Sequence, residues 1–435
     1  MNRKILHLAI PNIISNITVP LLGLIDIGIV GHLSDQSYIG AIAIGGMIFN
    51  LLYWNFGFLR MGTSGLTAQA YGKRDFKEIV SILLRSLGVG TVFALLLLLL
   101  QTPLINLIFR FLNAGIDVKQ HATAYYHIVI WGAPALLGLY SLKGWFIGMQ
   151  NSHFPMWISV SINCINIIAS LIFVYLLNWG INGVALGTML AQWSGFILAL
   201  LLWRLYYNRF TRYIRFKESL KPAKMKAFFN INRDIFLRTL CLIAVMTFFT
   251  STGAVHGDRI LAVNTLLMQF FTLFSYIMDG FAYAGESLTG RYIGAGNSTA
   301  LHKSIRTLFY WGTGIALLFS LLYGFFGRFF LKLLTDHQTI IELADNYFYW
   351  ILAIPICGFS AFLWDGIFIG ATAGREMRNT MFGACGIFFG IYYLLRHQYG
   401  NHALWLAFLC YLFVRGTMQW YLADKAVYSS KNLPQ

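Results

Sequence analysis

Long apolar stretches, broken by short polar turns, run the length of this chain. Val89 to Leu100, Ile158 to Leu177, Leu186 to Trp203 and Trp311 to Phe326 supply all or part of a membrane crossing, which needs roughly 20 apolar residues as a helix. Other stretches are interrupted only by Gly, Ser, Thr or Asn, which buried bundle helices tolerate. The pattern predicts twelve helices, at about 8–32, 39–68, 77–101, 121–148, 154–177, 182–206, 232–254, 260–287, 302–327, 340–370, 378–396 and 402–425. The second six repeat the first at one spacing. Leu66-Thr67 and Gly72 recur as Leu288-Thr289 and Gly294, and Gly144 and Phe146-Ile147-Gly148 as Gly366 and Phe368-Ile369-Gly370. Gly31, Phe49 and Gly90 recur as Gly253, Phe271 and Gly312, all 222 positions later. Six crossings is an even number, so both halves enter from the same side and form a parallel repeat. The expected fold is an all-α integral membrane protein of two six-helix lobes related by pseudo-two-fold symmetry, residues 1–206 and 232–435, joined by a basic cytoplasmic linker, 207–231.

Composition agrees with lipid as the main solvent. Of 435 residues 58% are hydrophobic and 11% charged, against roughly 25% charged in soluble domains. The net charge of +16 does not point to nucleic acid, because no soluble domain exists to carry such a site. It is concentrated instead in Arg204, Arg209, Arg212, Arg215, Lys217, Lys221, Lys224 and Lys226, opposed only by Glu218, and in the short loops around Lys73-Arg74 and Arg375-Arg378. With alternating connections, about 21 of the 32 Lys and Arg fall on the side of the N-terminus, which makes both termini cytoplasmic by the positive-inside bias. An amphipathic part of the linker would then lie where anionic lipid of the inner leaflet attracts it. The first apolar run is too long for a signal peptide and reads as a retained helix. Cys164, Cys241, Cys357, Cys385 and Cys410 lie in apolar runs without a CxxC pair and read as small buried hydrophobes. No Walker A loop, HExxH or usable GxSxG is present, His121, His127, His397 and His402 are not spaced for a metal on one helix face, and no enzyme, resident metal or cofactor is expected.

The chemistry of the membrane segments rests on few groups. Asp26 lies 15 residues after Pro11, roughly 22 Å along the first helix, among Leu21, Leu22, Leu24, Ile25, Ile27 and Ile29 with no local partner. Hydrocarbon disfavours the charged form of a carboxyl, so such a group suits proton or cation coupling; the alternative is a carboxyl bonded to a helix end. Asn163, Asn166 and Ser170 on the fifth helix and Thr188 on the sixth could hydrogen-bond it, or serve to join helices. Asp279, Tyr283 and Glu286 share a face of the eighth helix at i, i+4 and i+7, with pairing of Glu286 to Arg291 as the alternative. Asp365 occupies the repeat position of Lys143, an acid and a base that could meet as an inner gate or reach separately to the cytoplasmic surface. Arg60, near the inner end of the second helix, has the same two readings. Tyr53, Trp54, Phe56 and Phe58 could line a cavity for flat or cationic compounds, although most such rings face lipid.

The stretches Leu21 to Asp26 and Val30 to Leu33, Phe49 to Trp54, Phe56 to Thr63, Leu66 to Ala70, Asp279 to Ala284 with Glu286, and Asp365 to Thr372 with Met377-Arg378-Asn379 together resemble the multidrug and toxic compound extrusion (MATE) transporters, in their DinF-like branch. The resemblance covers nearly the whole chain. It implies a V-shaped pair of lobes with alternating access, exporting amphipathic, often cationic, compounds against proton or sodium entry. It makes Asp26 central to coupling, Pro11 the place where the first helix bends, and Asn166 and Thr188 members of the same pocket. The chain departs from the pattern at Ser170, where relatives often carry a second aspartate. One carboxylate suffices for a proton, whereas a hard cation loses a charged oxygen ligand.

The reading is an inner-membrane antiporter for amphipathic small molecules coupled to H+ (or Na+), working in membrane lipid as a monomer. A flippase for lipid or lipid-linked precursors is the alternative; it would need a strongly cationic cavity, for which only Lys143 and Arg60 are candidates. An intramembrane enzyme lacks its nucleophile–base pair or metal ligands, and a channel its filter loop.

Overall fold

The structure is a computed structural model that describes residues 1–31, 37–111 and 115–428. Long helices dominate it and cover the expected segments, except that the stretch expected as one helix over 340–370 is split into a short helix, Gln338–Asp345, and a long one, with a turn at Asn346-Tyr347 between them. The long helices are α1 (Asn2–Gly31), α2 (Ser37–Gly72), α3 (Phe76–Leu99), α4 (Ile116–Gly148), α5 (His153–Leu176), α6 (Gly180–Tyr206), α7 (Pro222–Val255), α8 (Asp258–Gly294), α9 (Ser298–Leu334) and α10 (Phe348–Gly370), then α11 (Gly374–Tyr399) and α12 (Asn401–Ala426). The α2 span is broken by a turn at Asn55-Phe56, and a 3-10 turn at Ile130–Gly132 interrupts α4. His32, the expected end of the first helix, and Leu33, the last residue of one quoted stretch, lie outside the described residues.

The chain forms two compact units, one of Met1–Ile13 with Asn230–Gln435, the other Ile14–Phe229. Their boundaries differ from those drawn on the sequence. Both changes of unit fall inside a helix, within α1 two residues after Pro11 and within α7 at Phe229. The start of α1 belongs with the second half because Gly280 on α8 leaves no room for a Cβ against Ile13 and the Ala9 carbonyl, and Trp311 Nε1 donates to Asn2 at 3.3 Å. Residues 207–229 are no loose linker: a 3-10 segment, Asn208–Tyr213, and a one-turn helix, Phe216–Ser219, pack within the other unit.

The 222-residue repeat has a physical cause in helix packing. In one unit Gly144 and Gly148 of α4 lie against the backbone carbonyls of Arg60 and Ser64 on α2. In the other, Gly366 and Gly370 of α10 lie against those of Ala282 and Glu286 on α8. Each contact is the other displaced by the repeat, and each uses the small-xxx-small spacing that lets membrane helices approach backbone to backbone. Gly90 packs on Leu137 of α4, and Gly312 on Leu363 and Phe359 of α10. The outer faces repeat as well. Leu95, Leu96 and Leu99 on α3 are exposed, and so are Leu317, Leu318 and Leu321 on α9, an apolar surface suited to lipid contact. The cysteines follow no single rule: Cys385 is buried, Cys241, Cys357 and Cys410 half-buried, and Cys164 exposed, which corrects the expectation that all five are buried.

Replacing Gly366 or Gly144 by Ala is expected to destabilise the protein by about 1–3 kcal/mol through overpacking, despite the helix propensity of Ala. Gly386→Ala, where an added Cβ meets nothing within 4 Å, should be neutral or slightly stabilising. Thermal unfolding in detergent separates the two; equal midpoints for Gly366→Ala and Gly386→Ala would remove the packing argument.

Candidate functional site

The unit Ile14–Phe229 holds the site expected around Asp26. Two side chains of α5 fasten α1 by its backbone: Asn163 Nδ2 donates to the Thr18 carbonyl at 3.0 Å, and the Tyr175 hydroxyl to that of Ile29 at 3.0 Å. Between these ties lies Asp26, 7% exposed, whose Oδ1 has no hydrogen-bond partner among the described residues. The side chains of Leu21, Leu22, Leu24 and Ile27 lie outside the described residues.

Two of the polar residues named on α5 and α6 are bonded to each other, and one further residue joins them. Asn166 Nδ2 donates to Thr188 Oγ1 at 3.0 Å, and Thr188 donates to the Val184 carbonyl at 3.1 Å. Asn166 and Ser170 are fully buried, yet Asn166 Oδ1 and Ser170 Oγ lack partners among the described residues. Gly187 gives Ser170 its place, since a Cβ there would collide with the hydroxyl. The added residue is Tyr125 of α4, which lies close to Thr188 and within electrostatic reach of Asp26. It is admitted by Gly45 of α2, where a Cβ would stand 2.5 Å from its ring. Tyr125 also belongs to a ring cluster: Phe49 stacks on Tyr53 at 5.2 Å and on Tyr126 at 5.4 Å, and meets Tyr125 edge-on at 6.2 Å. Of the rings singled out in the sequence, Tyr53 and Phe58 are buried, Phe56 half-buried, and Trp54 exposed at 48%. Asp26 Oδ1 and Asn166 Oδ1 are thus acceptors without donors among the described residues, whereas buried polar groups normally find partners.

Pro11 is buried within α1, which is helical on both sides of it. It removes one intrahelical donor, and the neighbouring Asn12 Nδ2 donates to the Leu8 carbonyl at 2.8 Å.

The remaining candidates divide between the units. Lys143 of α4 donates to Ser159 of α5 at 2.8 Å and lies within electrostatic reach of Arg60. Asp365 of α10, read from the sequence as either meeting Lys143 or reaching separately to the cytoplasmic surface, takes its partners from its own unit. Arg238 of α7 bonds its Oδ2 directly, Arg415 of α12 stands at 3.6 Å, and Gln419 Nε2 donates to Oδ1 at 2.7 Å. Arg415 is 2% exposed, lies over the Phe362 and Tyr411 rings at 5.6 Å, and feels Asp279 of α8. The eighth-helix trio is therefore split in its surroundings. Asp279 lies within electrostatic reach of Arg415, Tyr283 is half-buried, and Glu286 is fully buried where its backbone meets Gly370. Arg238, Arg415 and Gln419 carried no sequence signal beyond two arginines inside otherwise crossing-length helices. Asp365 is thus compensated in place, whereas Asp26 Oδ1 has no donor among the described residues.

The sequence profile of the MatE family matches residues 11–172 and 235–393. The chain belongs to the MATE family, in its DinF-like branch. Among its relatives, Escherichia coli K12 DNA damage-inducible protein F is 37% identical over 95% of this chain and 90% of its own length. A probable multidrug resistance protein NorM of Thermotoga maritima is 22% identical over 87% of this chain and 80% of its own. A solved multidrug resistance MATE transporter of the MOP superfamily, in an outward-facing conformation, shares the fold with a TM-score of 0.88 at 20% identity, over 99% of this chain and 96% of the other. A MOP superfamily transporter from Pyrococcus furiosus gives a TM-score of 0.86 at 20% identity, over 98% and 96%. Membership in a transporter family makes the chain a multi-pass membrane transporter and not an enzyme.

Asp365→Asn is expected to cost about 3–5 kcal/mol, because it strands two buried guanidinium groups. Combining it with Arg238→Met should recover part of that loss. Thermal midpoints of the purified variants test the ion cluster; a single variant as stable as wild type, or a double variant worse than the sum of both, would contradict it.

Proposed function

We propose that this protein is a proton-driven antiporter that exports amphipathic, often cationic, organic compounds across the inner membrane, with both termini cytoplasmic. The observation that carries this reading is the Asp26 carboxyl, buried with an oxygen lacking a donor among the described residues and within electrostatic reach of Tyr125, which lies close to the Asn166–Thr188 pair. A proton on Asp26 turns an acceptor-only group into a donor, and the same cluster offers Asn166 Oδ1 as an acceptor in need of one. Loading and unloading that proton changes which bonds α1 can make with α4, α5 and α6. Pro11, with its missing backbone donor two residues before α1 passes from one unit to the other, lets the helix answer by bending. The proton must bind the two access states with different affinity, since otherwise it shifts nothing.

Proton is favoured over sodium by the ligand set. Asp26 supplies one carboxylate; Ser170 stands where a second would add negative charge, and hard cations are held by several oxygens including carboxylates. Export of small amphipathic molecules is supported by relatives whose names record multidrug resistance or toxin extrusion.

In proteoliposomes with an imposed proton gradient, Asp26→Asn should abolish gradient-driven efflux, at least a hundredfold below wild type in rate (roughly the loss of a group essential to the step), while leaving the thermal midpoint close to that of wild type. Efflux retained by the folded variant would defeat the mechanism. Ser170→Asp is expected to make efflux respond to a sodium gradient; wild-type protein driven equally by sodium alone would overturn the choice of proton.

A further inference from the structure

The segment between α6 and α7 presents a surface that coupling does not use. Its inward face is fixed. Phe210, 3% exposed, packs edge-on to Phe76 at 5.7 Å and to Trp145 at 6.2 Å, and Tyr213 stacks on Phe76 at 6.0 Å. The buried Ser219 hydroxyl donates to Ser81 on α3 at 3.0 Å. Lys224 Nζ bonds Glu78 at 2.6 Å, and Glu78 also takes Arg85. The backbone is thus held against α3 and α4 rather than left as a tether.

The outward face carries the charge. Arg209, Arg212, Lys217, Lys221 and Lys226 are exposed and have no carboxylate partner among the described residues. Arg212 lies over the Tyr213 ring at 4.8 Å and Arg209 over Phe210 at 5.6 Å, so two guanidinium groups rest on anchored rings. Glu218, the one acid of the segment, is already bonded to Arg215 at 3.1 Å. Among these charges stand Phe216, 63% exposed, and Leu220, 50% exposed. The surface continues onto the lipid-facing ends of the adjoining helices, through Leu205 and Tyr206 of α6 and Phe229 of α7, all exposed.

We infer that this face is a docking surface for the headgroups of anionic phospholipids, with Phe216 and Leu220 entering the interfacial layer and the arginines and lysines taking the phosphates. Guanidinium and ammonium donors match phosphate oxygens, and each basic side chain near an anionic leaflet adds to the attraction. Interleaved apolar side chains next to membrane-spanning helices fit a lipid surface, where such residues are buried at the headgroup boundary. A folded platform loses little conformational freedom on binding, unlike a flexible basic loop. Because the chain leads from it through Lys224 into α7 and leaves the unit at Phe229, bound lipid sits next to one of the two points where the chain passes from one unit to the other.

The test is native mass spectrometry of the full-length protein in detergent, titrated with phosphatidylglycerol and phosphatidylcholine, each alone and with excess inorganic phosphate. Wild type should retain phosphatidylglycerol over phosphatidylcholine by on the order of tenfold, and inorganic phosphate should compete weakly. The variant Arg212→Gln, Lys217→Gln, Lys221→Gln, Lys226→Gln should lose that preference, and Lys217→Arg, Lys221→Arg, Lys226→Arg should keep it. Circular dichroism checks that each variant is folded; if the glutamine variant is not, loss of wild-type preference in high salt serves in its place. Absence of a preference in wild type, a preference unchanged in the folded glutamine variant or in high salt, or displacement by inorganic phosphate alone would overturn the inference. None of these results depends on whether Asp26 carries the coupling proton.

Discussion

A carboxyl group enclosed by membrane helices and short of one hydrogen-bond donor is the constraint on which the rest of this molecule depends. Ionisable groups at such depth are costly and mark ion or substrate pathways. Here the helices do not relieve the cost. α5 ties down the backbone of α1 on both sides of Asp26, through Asn163 and Tyr175, but Oδ1 has no donor among the described residues. These ties hold the backbone of α1 on both sides of Asp26, and in the proposed function the coupling proton binds between them.

The other unit treats an acid in the opposite manner. Asp365 is buried to a similar degree, 6% exposed against 7% for Asp26, yet two arginines and a glutamine amide compensate it. Removing one member of such a cluster leaves the others stranded. The same twofold-repeated scaffold, built on glycine contacts in equivalent register, therefore carries one acid with an oxygen lacking a donor among the described residues and one paired with two arginines. The repeat fixes backbone geometry, and the chemistry of each unit is set by which side chains fill it.

Much of this was legible in the sequence, for reasons that can be stated. The twelve helices are readable because lipid demands long apolar runs, and the repeat because glycine is needed wherever two backbones touch, as at Gly144 and Gly366. Asp26 stood out by being charged among aliphatic neighbours, and Asn166 and Thr188, both named from the sequence, bond each other. Three things were not legible. Tyr125 reaches the Asp26 cluster from α4 only because Gly45 clears its path. Arg238 meets Asp365 across 127 residues, a pairing that periodicity within a helix does not encode. The folding of residues 207–229 depends on Phe210 and Ser219 finding α3 and α4, which a basic composition conceals.

The central claim is that the Asp26 carboxyl itself gains and loses the coupling proton. Infrared difference spectroscopy of the purified protein, recorded as pH is raised, measures this most directly through the carbonyl stretch of a protonated carboxyl group. The account predicts a band that disappears with rising pH in wild type and is missing from Asp26→Asn. The same titrating band in Asp26→Asn, or none in wild type at any pH at which the protein stays folded, would contradict it.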